Sequence, residues 1–92
     1  MPLVSIHLPS LLADAAGGSR HITVEGLSVG DVLRNLSRAH PRLGVHLFDE
    51  SGDLREHVLC FLNEKNTRWL DSLDHLIQRG DELTILQAVS GG

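Results

Sequence analysis

Four segments of the chain have the hydrophobic pattern of β-strands. Apolar and polar residues alternate over residues 3–8 and again over 20–25, so one side of each segment is apolar. Residues 57–62 show little polar alternation, and residues 82–89 form the last apolar run before the end of the sequence. We expect all four to be strands, with the first two paired antiparallel across a long connection.

One helix is predicted over residues 28–39. Its apolar positions follow helical spacing and form a single stripe: Val29, Val32, Leu33, Leu36 and Ala39. Ser28 can accept a hydrogen bond from the backbone N–H three residues on, and Asp31 can reach back, as in a capping box. Pro41 disfavours the helical region for His40, so the helix is expected to end there.

The remaining segments carry weaker patterns. Residues 10–19 indicate a loop whose Leu11-Leu12-Ala13 turn packs on the core, and residues 41–56 a short helical or extended piece followed by a turn. Residues 68–70 are expected to form a short strand or a turn, and residues 73–77 one turn of helix. The whole order predicts an α+β fold in which one main helix covers one face of a four- or five-stranded sheet.

Composition and charge narrow the class of protein. The chain has 92 residues and a net charge of −4, which suits one small domain and argues against nucleic acid or an anionic membrane surface as a partner. A partner with a basic face suits it better. Cys60 is the only cysteine in the sequence, so an internal disulfide is excluded. No signal peptide or membrane-spanning run is recognisable, and a cytoplasmic location is therefore expected.

The sequence closes with Ser90-Gly91-Gly92, directly after the last predicted strand. Glycine lacks a Cβ, so a Gly-Gly tail is thin and can enter a narrow channel in another protein, where it presents the Gly92 carboxylate. Two final glycines also occur by chance or as a frayed end, so the rest of the chain has to support this interpretation. The expected organisation is a domain over residues 1–89 and a flexible tail over 90–92.

Taken together, these features resemble a known family. The element order, the run Gly-Asp-Glu-Leu-Thr-Ile-Leu over 80–86 and the final Ala-Val-Ser-Gly-Gly over 88–92 resemble the ubiquitin-like β-grasp sulfur carriers of the ThiS/MoaD family. The length and the Leu-Asn-Glu turn at 62–64 are most similar to its CysO-type branch, which serves cysteine biosynthesis in some actinobacteria. Many members carry proline where Gln87 stands. The resemblance implies a ubiquitin-like β-grasp fold with a mixed sheet.

The resemblance also implies a function. Such a chain is a carrier rather than an enzyme, and it binds no cofactor itself. An ATP-dependent activating enzyme adenylates the Gly92 carboxylate, Gly91 gives access to it, and sulfur then displaces AMP to leave a C-terminal thiocarboxylate. A downstream enzyme passes the sulfur to its acceptor, which could be an activated serine for cysteine synthesis, a molybdopterin precursor, thiazole or a thio-containing natural product. The alternative is a ubiquitin-like modifier, in which Gly92 forms an isopeptide with a lysine, or a pure interaction module.

Strand alternation predicts where a partner docks. Val58, Cys60 and Leu62 share one face of their strand, which leaves Leu59 and Phe61 on the other face together with Leu86 of the last strand. Because one helix covers only one face of the sheet, these three residues form an exposed apolar patch, as partner interfaces do. Val89 and Ser90, which lead into the tail, extend this surface, with Ser90 a linker position. The alternative is that residues 41–56 cover the patch instead.

Other reactive residue types do not combine into a site. Cys60 has no basic neighbour in sequence and is expected to fill the core. The six histidines (His7, His21, His40, His46, His57 and His75) lack metal-ligand spacing, so no metal is expected. The acidic loop at 49–53 lacks the spacing of a calcium loop. Asp71 and Asp74 suit a solvated face, and Gly17-Gly18 is not followed by the lysine of a phosphate loop.

Overall fold

A mixed five-stranded sheet forms one layer of the protein. The computed structural model describes residues 2–70 and 72–87. The strands, in chain order, are β1 (Leu3–His7), β2 (His21–Glu25), β3 (Val58–Leu62), β4 (Lys65–Asn66) and β5 (Glu82–Gln87). They lie side by side in the order β2-β1-β5-β3-β4, and all neighbours are antiparallel except β1 and β5. The expected strand count and the antiparallel β1–β2 pair are therefore confirmed.

Helices form the second layer. They are α1 (Ser10–Ala13), which continues into a 3-10 turn over Asp14–Ala16, α2 (Val29–Ala39) and α3 (Pro41–Leu47). The predicted main helix is α2, and Ser28 caps it by accepting a hydrogen bond from the Asp31 amide at 3.1 Å. Four of its five predicted stripe residues are buried, while Ala39 is exposed. No helix in the described parts of the chain is long and apolar enough to span a bilayer.

The core lies between the two layers. Side chains that point from the strands toward α2 are almost fully buried: Val4, Ile6, Val58, Cys60, Leu62, Leu83 and Ile85. The residues between them in sequence, such as Ser5, Leu59 and Thr84, keep more exposure. This alternation follows from the pleat, which turns successive side chains to opposite faces of a strand.

Two weakly patterned segments lie near the helices. Of the helical and extended pieces left open within 41–56, the helical one is present as α3 at 41–47, with Pro41 in its first turn, where a missing N–H costs nothing. The turn expected after it is closed by the Gly52 amide, which donates to the Asp49 carbonyl at 3.1 Å. Residues 10–19 contain α1 rather than only a turn, and Leu12 is buried while Leu11 is 76% exposed.

Two further predictions concern the segment between β3 and β5. Of the strand and the turn left open at 68–70, the turn is present, because Thr67–Trp69 forms a 3-10 turn and the short strand is at Lys65–Asn66. The second prediction, a helical turn at 73–77, is wrong. Residues 73–77 form no helical turn, because two of their backbone carbonyls accept hydrogen bonds from the start of α2. The carbonyls of Leu73 and His75 accept hydrogen bonds from the Gly30 and Val29 amides, at 2.8 and 3.0 Å.

Candidate functional site

Strand β5 sets the point from which the tail continues. It is the central strand of the sheet, and its last residue, Gln87, pairs with Val58 at the start of β3. Gly91 and Gly92, for which the carrier chemistry is predicted, lie outside the described residues, as do Val89 and Ser90. The structure thus gives the base of the predicted site rather than the reacting group.

The predicted apolar patch lies on the outer face of β3 and β5. Leu59 pairs directly with Leu86, and Phe61 with Thr84, so all four side chains share the face away from α2. Leu86 is 43% exposed, and Leu59 and Phe61 are half-buried. The structure therefore brings the three predicted residues together on one surface beside the base of the tail.

Residues 41–56, the alternative cover for this patch, pack elsewhere. Leu43 and Leu47 of α3 are fully buried in the core, and Phe48 and Leu54 pack against the same core cluster. These apolar residues therefore belong to the helical side of the sheet. The apolar residues of 41–56 therefore do not cover Leu59, Phe61 and Leu86.

The half of the outer face formed by β1 and β2 is mostly polar, with Leu3 as its exposed apolar residue on β1. His7 of β1 pairs with His21 of β2, and their rings stack with centroids 4.8 Å apart. His7 Nε2 also lies 3.6 Å from Glu82 Oε1 of β5. Sequence reasoning missed this cross-strand pair, although the signal was present: both histidines occupy polar positions of strands predicted to pair antiparallel. The outer face thus changes from polar at β2 to apolar at β3.

Cys60 lies on the inner face of β3, as predicted, with 1% of its surface exposed. Burial raises the pKa of its thiol to about 11, and the nearby Thr67 hydroxyl partly opposes that rise. Thr67 Oγ1 is itself buried and makes no well-directed hydrogen bond within the described residues. A protonated, enclosed thiol is a poor nucleophile, so Cys60 is a core residue.

No metal centre emerges from the histidines and acids that the structure describes. Among residues 2–70 and 72–87, no three His, Cys, Asp or Glu side chains are grouped closely enough to hold a metal ion. Within the acidic loop at 49–53, the Asp49 carboxylate accepts hydrogen bonds from the Ser51 and Asp53 amides. This is an ordinary turn geometry for aspartate.

Residues 6–92 match the ThiS family, a match that includes the final glycines. The chain belongs to the ThiS family. This ThiS-family protein is 31% identical to the sulfur carrier protein CysO of Mycobacterium tuberculosis over 97% of the chain and 98% of the relative. It is 36% identical to small archaeal modifier protein 1 of Haloferax volcanii over 89% of the chain and 95% of the relative.

Solved structures show the same fold. The crystal structure of the M. tuberculosis CysO matches with a TM-score of 0.83, at 30% identity, over 94% of this chain and 99% of that one. The structure of a BexX/CysO complex from Amycolatopsis orientalis matches with a TM-score of 0.84, at 27% identity, over 97% and 99%. The ubiquitin-like β-grasp fold and the likeness to the CysO-type branch are confirmed, and sulfur carriage is the function that these relatives support.

Proposed function

We propose that this chain carries sulfur as a thiocarboxylate on Gly92. The observation that carries the proposal is the family match, which runs from β1 through the final glycines. The Gly92 carboxylate attacks the α-phosphorus of ATP and releases pyrophosphate, and the resulting acyl adenylate is a far better electrophile than the carboxylate. Sulfide then attacks the acyl carbon, the bond to AMP breaks, and a C-terminal thiocarboxylate remains. If a persulfide attacks instead, an acyl disulfide forms, and a second thiol of the sulfur-donating enzyme has to cleave its S–S bond, and is itself oxidised to a disulfide, before the thiocarboxylate is released.

The chain itself acts as a co-substrate rather than an enzyme. In support of this role, the one thiol of the sequence is buried and protonated at neutral pH, and the described residues contain no metal-binding cluster. The activating enzyme supplies ATP binding and catalysis, and a downstream enzyme takes the sulfur. Because the activation consumes ATP, we place the carrier in the cytoplasm.

We propose that Leu59, Phe61 and Leu86 dock on the activating enzyme. They lie together beside the base of the tail, so a partner that covers them also receives residues 88–92. Val89 and Ser90 would extend the contact toward the active site. The structure of a BexX/CysO complex from Amycolatopsis supports the idea that such a carrier is held by a partner protein.

A ubiquitin-like modifier is the second candidate. The likeness to small archaeal modifier protein 1, at 36% identity, favours it specifically. Activation is the same in both cases, but in a modifier the amine of a lysine attacks the activated Gly92 and an isopeptide forms. The two functions can therefore be told apart by the reaction product, a thiocarboxylate or an isopeptide, but not by the sequence of the tail.

The deciding experiment is the intact mass of the protein after incubation with ATP, sulfide and an activating enzyme from the same source. Replacement of one oxygen by sulfur, absent when Gly91 and Gly92 are deleted, is the expected result. An unchanged mass, with an enzyme that is active on another carrier, would contradict the proposal. Conjugates of higher mass in place of the thiocarboxylate would favour the modifier.

Docking is tested by Phe61→Asp and Leu86→Asp in the same assay. Both should slow thiocarboxylate formation at least about tenfold, since a buried unpaired charge in an interface costs several kcal/mol. Val45→Asp is the matched control, because Val45 is 66% exposed on α3, in the helical layer. Circular dichroism confirms that each variant is folded. Equal rates for all three folded variants would place the docking surface elsewhere.

A further inference from the structure

The end of β5 is held by only one strand in the described structure. β1 pairs with Glu82, Leu83 and Thr84, where its register ends. Beyond that point, residues 85–87 pair only with residues 58–60 of β3. The direction in which the chain leaves the sheet after Gln87 therefore depends on the first residues of β3.

On the side away from β5, one side chain contacts the backbone at the start of β3. Nη2 of Arg68 lies 3.0, 3.1 and 3.1 Å from the carbonyl oxygens of Arg55, Glu56 and Val58, and its two N–H groups are shared among these three acceptors. The Val58 amide closes the same segment by donating to the Arg55 carbonyl at 3.0 Å. Hydrogen bonds from a charged donor are the stronger kind, so this cluster is a firm attachment for the segment that leads into β3.

Arg68 lies beside the part of β3 that has no strand neighbour on the β4 side of the sheet. β4 pairs only with Phe61 and Leu62, so the described structure gives the beginning of β3 no strand partner on that side. The backbone of Arg68 is fixed by the Asn66 side chain, which accepts from its amide at 3.0 Å, and the adjacent Thr67 is buried. The guanidinium thus supplies, from a fixed base, donors that a longer β4 would otherwise provide.

We propose that Arg68 is a positioning residue for the carrier reaction. It holds the start of β3, β3 is the strand that pairs with residues 85–87 in the described structure, and these residues aim the tail toward the activating enzyme. This inference rests on the proposed function. Without Arg68 the end of β5 frays, and only a fraction of molecules presents the tail correctly. The apparent affinity falls by that fraction, whereas the chemistry of a correctly bound tail is unchanged.

The test compares Arg68→Ala, Arg68→Lys and a matched control, Arg79→Ala, which removes an exposed arginine from the turn that precedes β5. If about one tenth of Arg68→Ala molecules keep the ordered end of β5, their KM with the activating enzyme rises about tenfold while kcat stays at the wild-type value. Arg68→Lys keeps a charged donor and should restore part of the loss. Arg79→Ala should match wild type.

Amide hydrogen exchange supplies a readout that separates positioning from general destabilisation. Arg68→Ala should speed exchange at residues 58–60 and 85–87 while the β1–β2 pair keeps its wild-type protection, because exchange reports local opening. A wild-type KM, or faster exchange spread evenly over the sheet, would overturn the proposal. If wild-type protein gains no sulfur, the proposed function fails instead, and the exchange pattern still decides whether Arg68 holds the strands.

Discussion

At the scale of single residues, burial decides what Cys60 can do. Its thiol is enclosed in the core beside Thr67, and its pKa is raised from 9.0 to about 11. The folded protein therefore keeps a proton that the unfolded chain releases in this pH range. Stability from this group is fully present below pH 9.0 and is lost as the pH rises through about 11.

A pH series tests this linkage. The unfolding free energy, from denaturant titrations, should fall by about 2 kcal/mol between pH 8 and pH 11 through Cys60 alone. The sequence contains no tyrosine, so few other side chains titrate in this interval. Cys60→Ala, although less stable at pH 8, should lack this part of the decline. An identical decline in the variant would show that the thiol is not its source.

Lys65 bears on the choice between carrier and modifier. It is the only lysine in the sequence, and it is exposed on β4 at the edge of the sheet. In the modifier case, a lysine isopeptide between two copies has only this acceptor. Lys65→Arg should remove any copy-to-copy isopeptide seen with activating enzyme and ATP, yet leave thiocarboxylate formation at the wild-type rate. Isopeptide-linked dimers that persist in Lys65→Arg would contradict this assignment.

At the scale of elements, the contact between α2 and α3 depends on a glycine. A Cβ added at Gly44 of α3 would overlap the Ser37 hydroxyl of α2 and lie 3.0 Å from the Ser37 Cβ. In an exposed helix, Gly→Ala is stabilising by about 1 kcal/mol. Here the overlap reverses the sign, because the two helices approach closely at this point.

Gly44→Ala should therefore lower the free energy of unfolding by about 1–3 kcal/mol, the usual cost of overpacking. Thermal or urea denaturation measures the change. Ser37→Ala removes the hydroxyl that lies nearest to the new methyl group, so Gly44→Ala should cost less in that background, and the double-mutant cycle isolates this coupling. A stabilised Gly44→Ala single variant would mean that α3 shifts freely on α2.

Elements with a strong period could be predicted from the sequence, and elements held by tertiary contacts could not. α2 carries its own stripe and its own cap, so its bounds follow from local signals. For residues 41–47 the sequence left a helical and an extended piece open, because Pro41 marks the end of one helix and the start of the next equally well. The segment 73–77 has helical spacing, but its carbonyls bond to the first turn of α2, a long-range contact that no local pattern encodes.

The same distinction between local patterns and long-range contacts applies to the candidate site. The shared face of Leu59, Phe61 and Leu86 follows from strand alternation, so it could be predicted before the structure was known. The role of Arg68 could not, because its three carbonyl partners are 10 to 13 residues away in sequence. A side chain that hydrogen-bonds to backbone far away in the sequence produces no periodic pattern from which the contact could be predicted.

At the scale of the whole molecule, the residues that stabilise the fold and the residues that carry the proposed chemistry lie in different parts of the chain. The buried apolar residues of the described ranges run from Val4 to Ile85. Deletion of Gly91 and Gly92 should thus leave the unfolding free energy within about 0.5 kcal/mol of wild type, while thiocarboxylate formation is lost. Ile85→Ala, a core truncation in the strand that leads to the tail, should cost about 2–5 kcal/mol. A clear loss of stability on deletion would show that the tail supports the fold.

The way the main helix begins has a consequence for nucleotide binding. Phosphate groups bind readily at helix starts, where backbone amides are free to donate. In α2 those amides are already engaged, the first two by the carbonyls of His75 and Leu73 and the third by the Ser28 hydroxyl. The start of the main helix therefore offers ATP no free amides, and under the proposed function the activating enzyme has to bind the triphosphate itself.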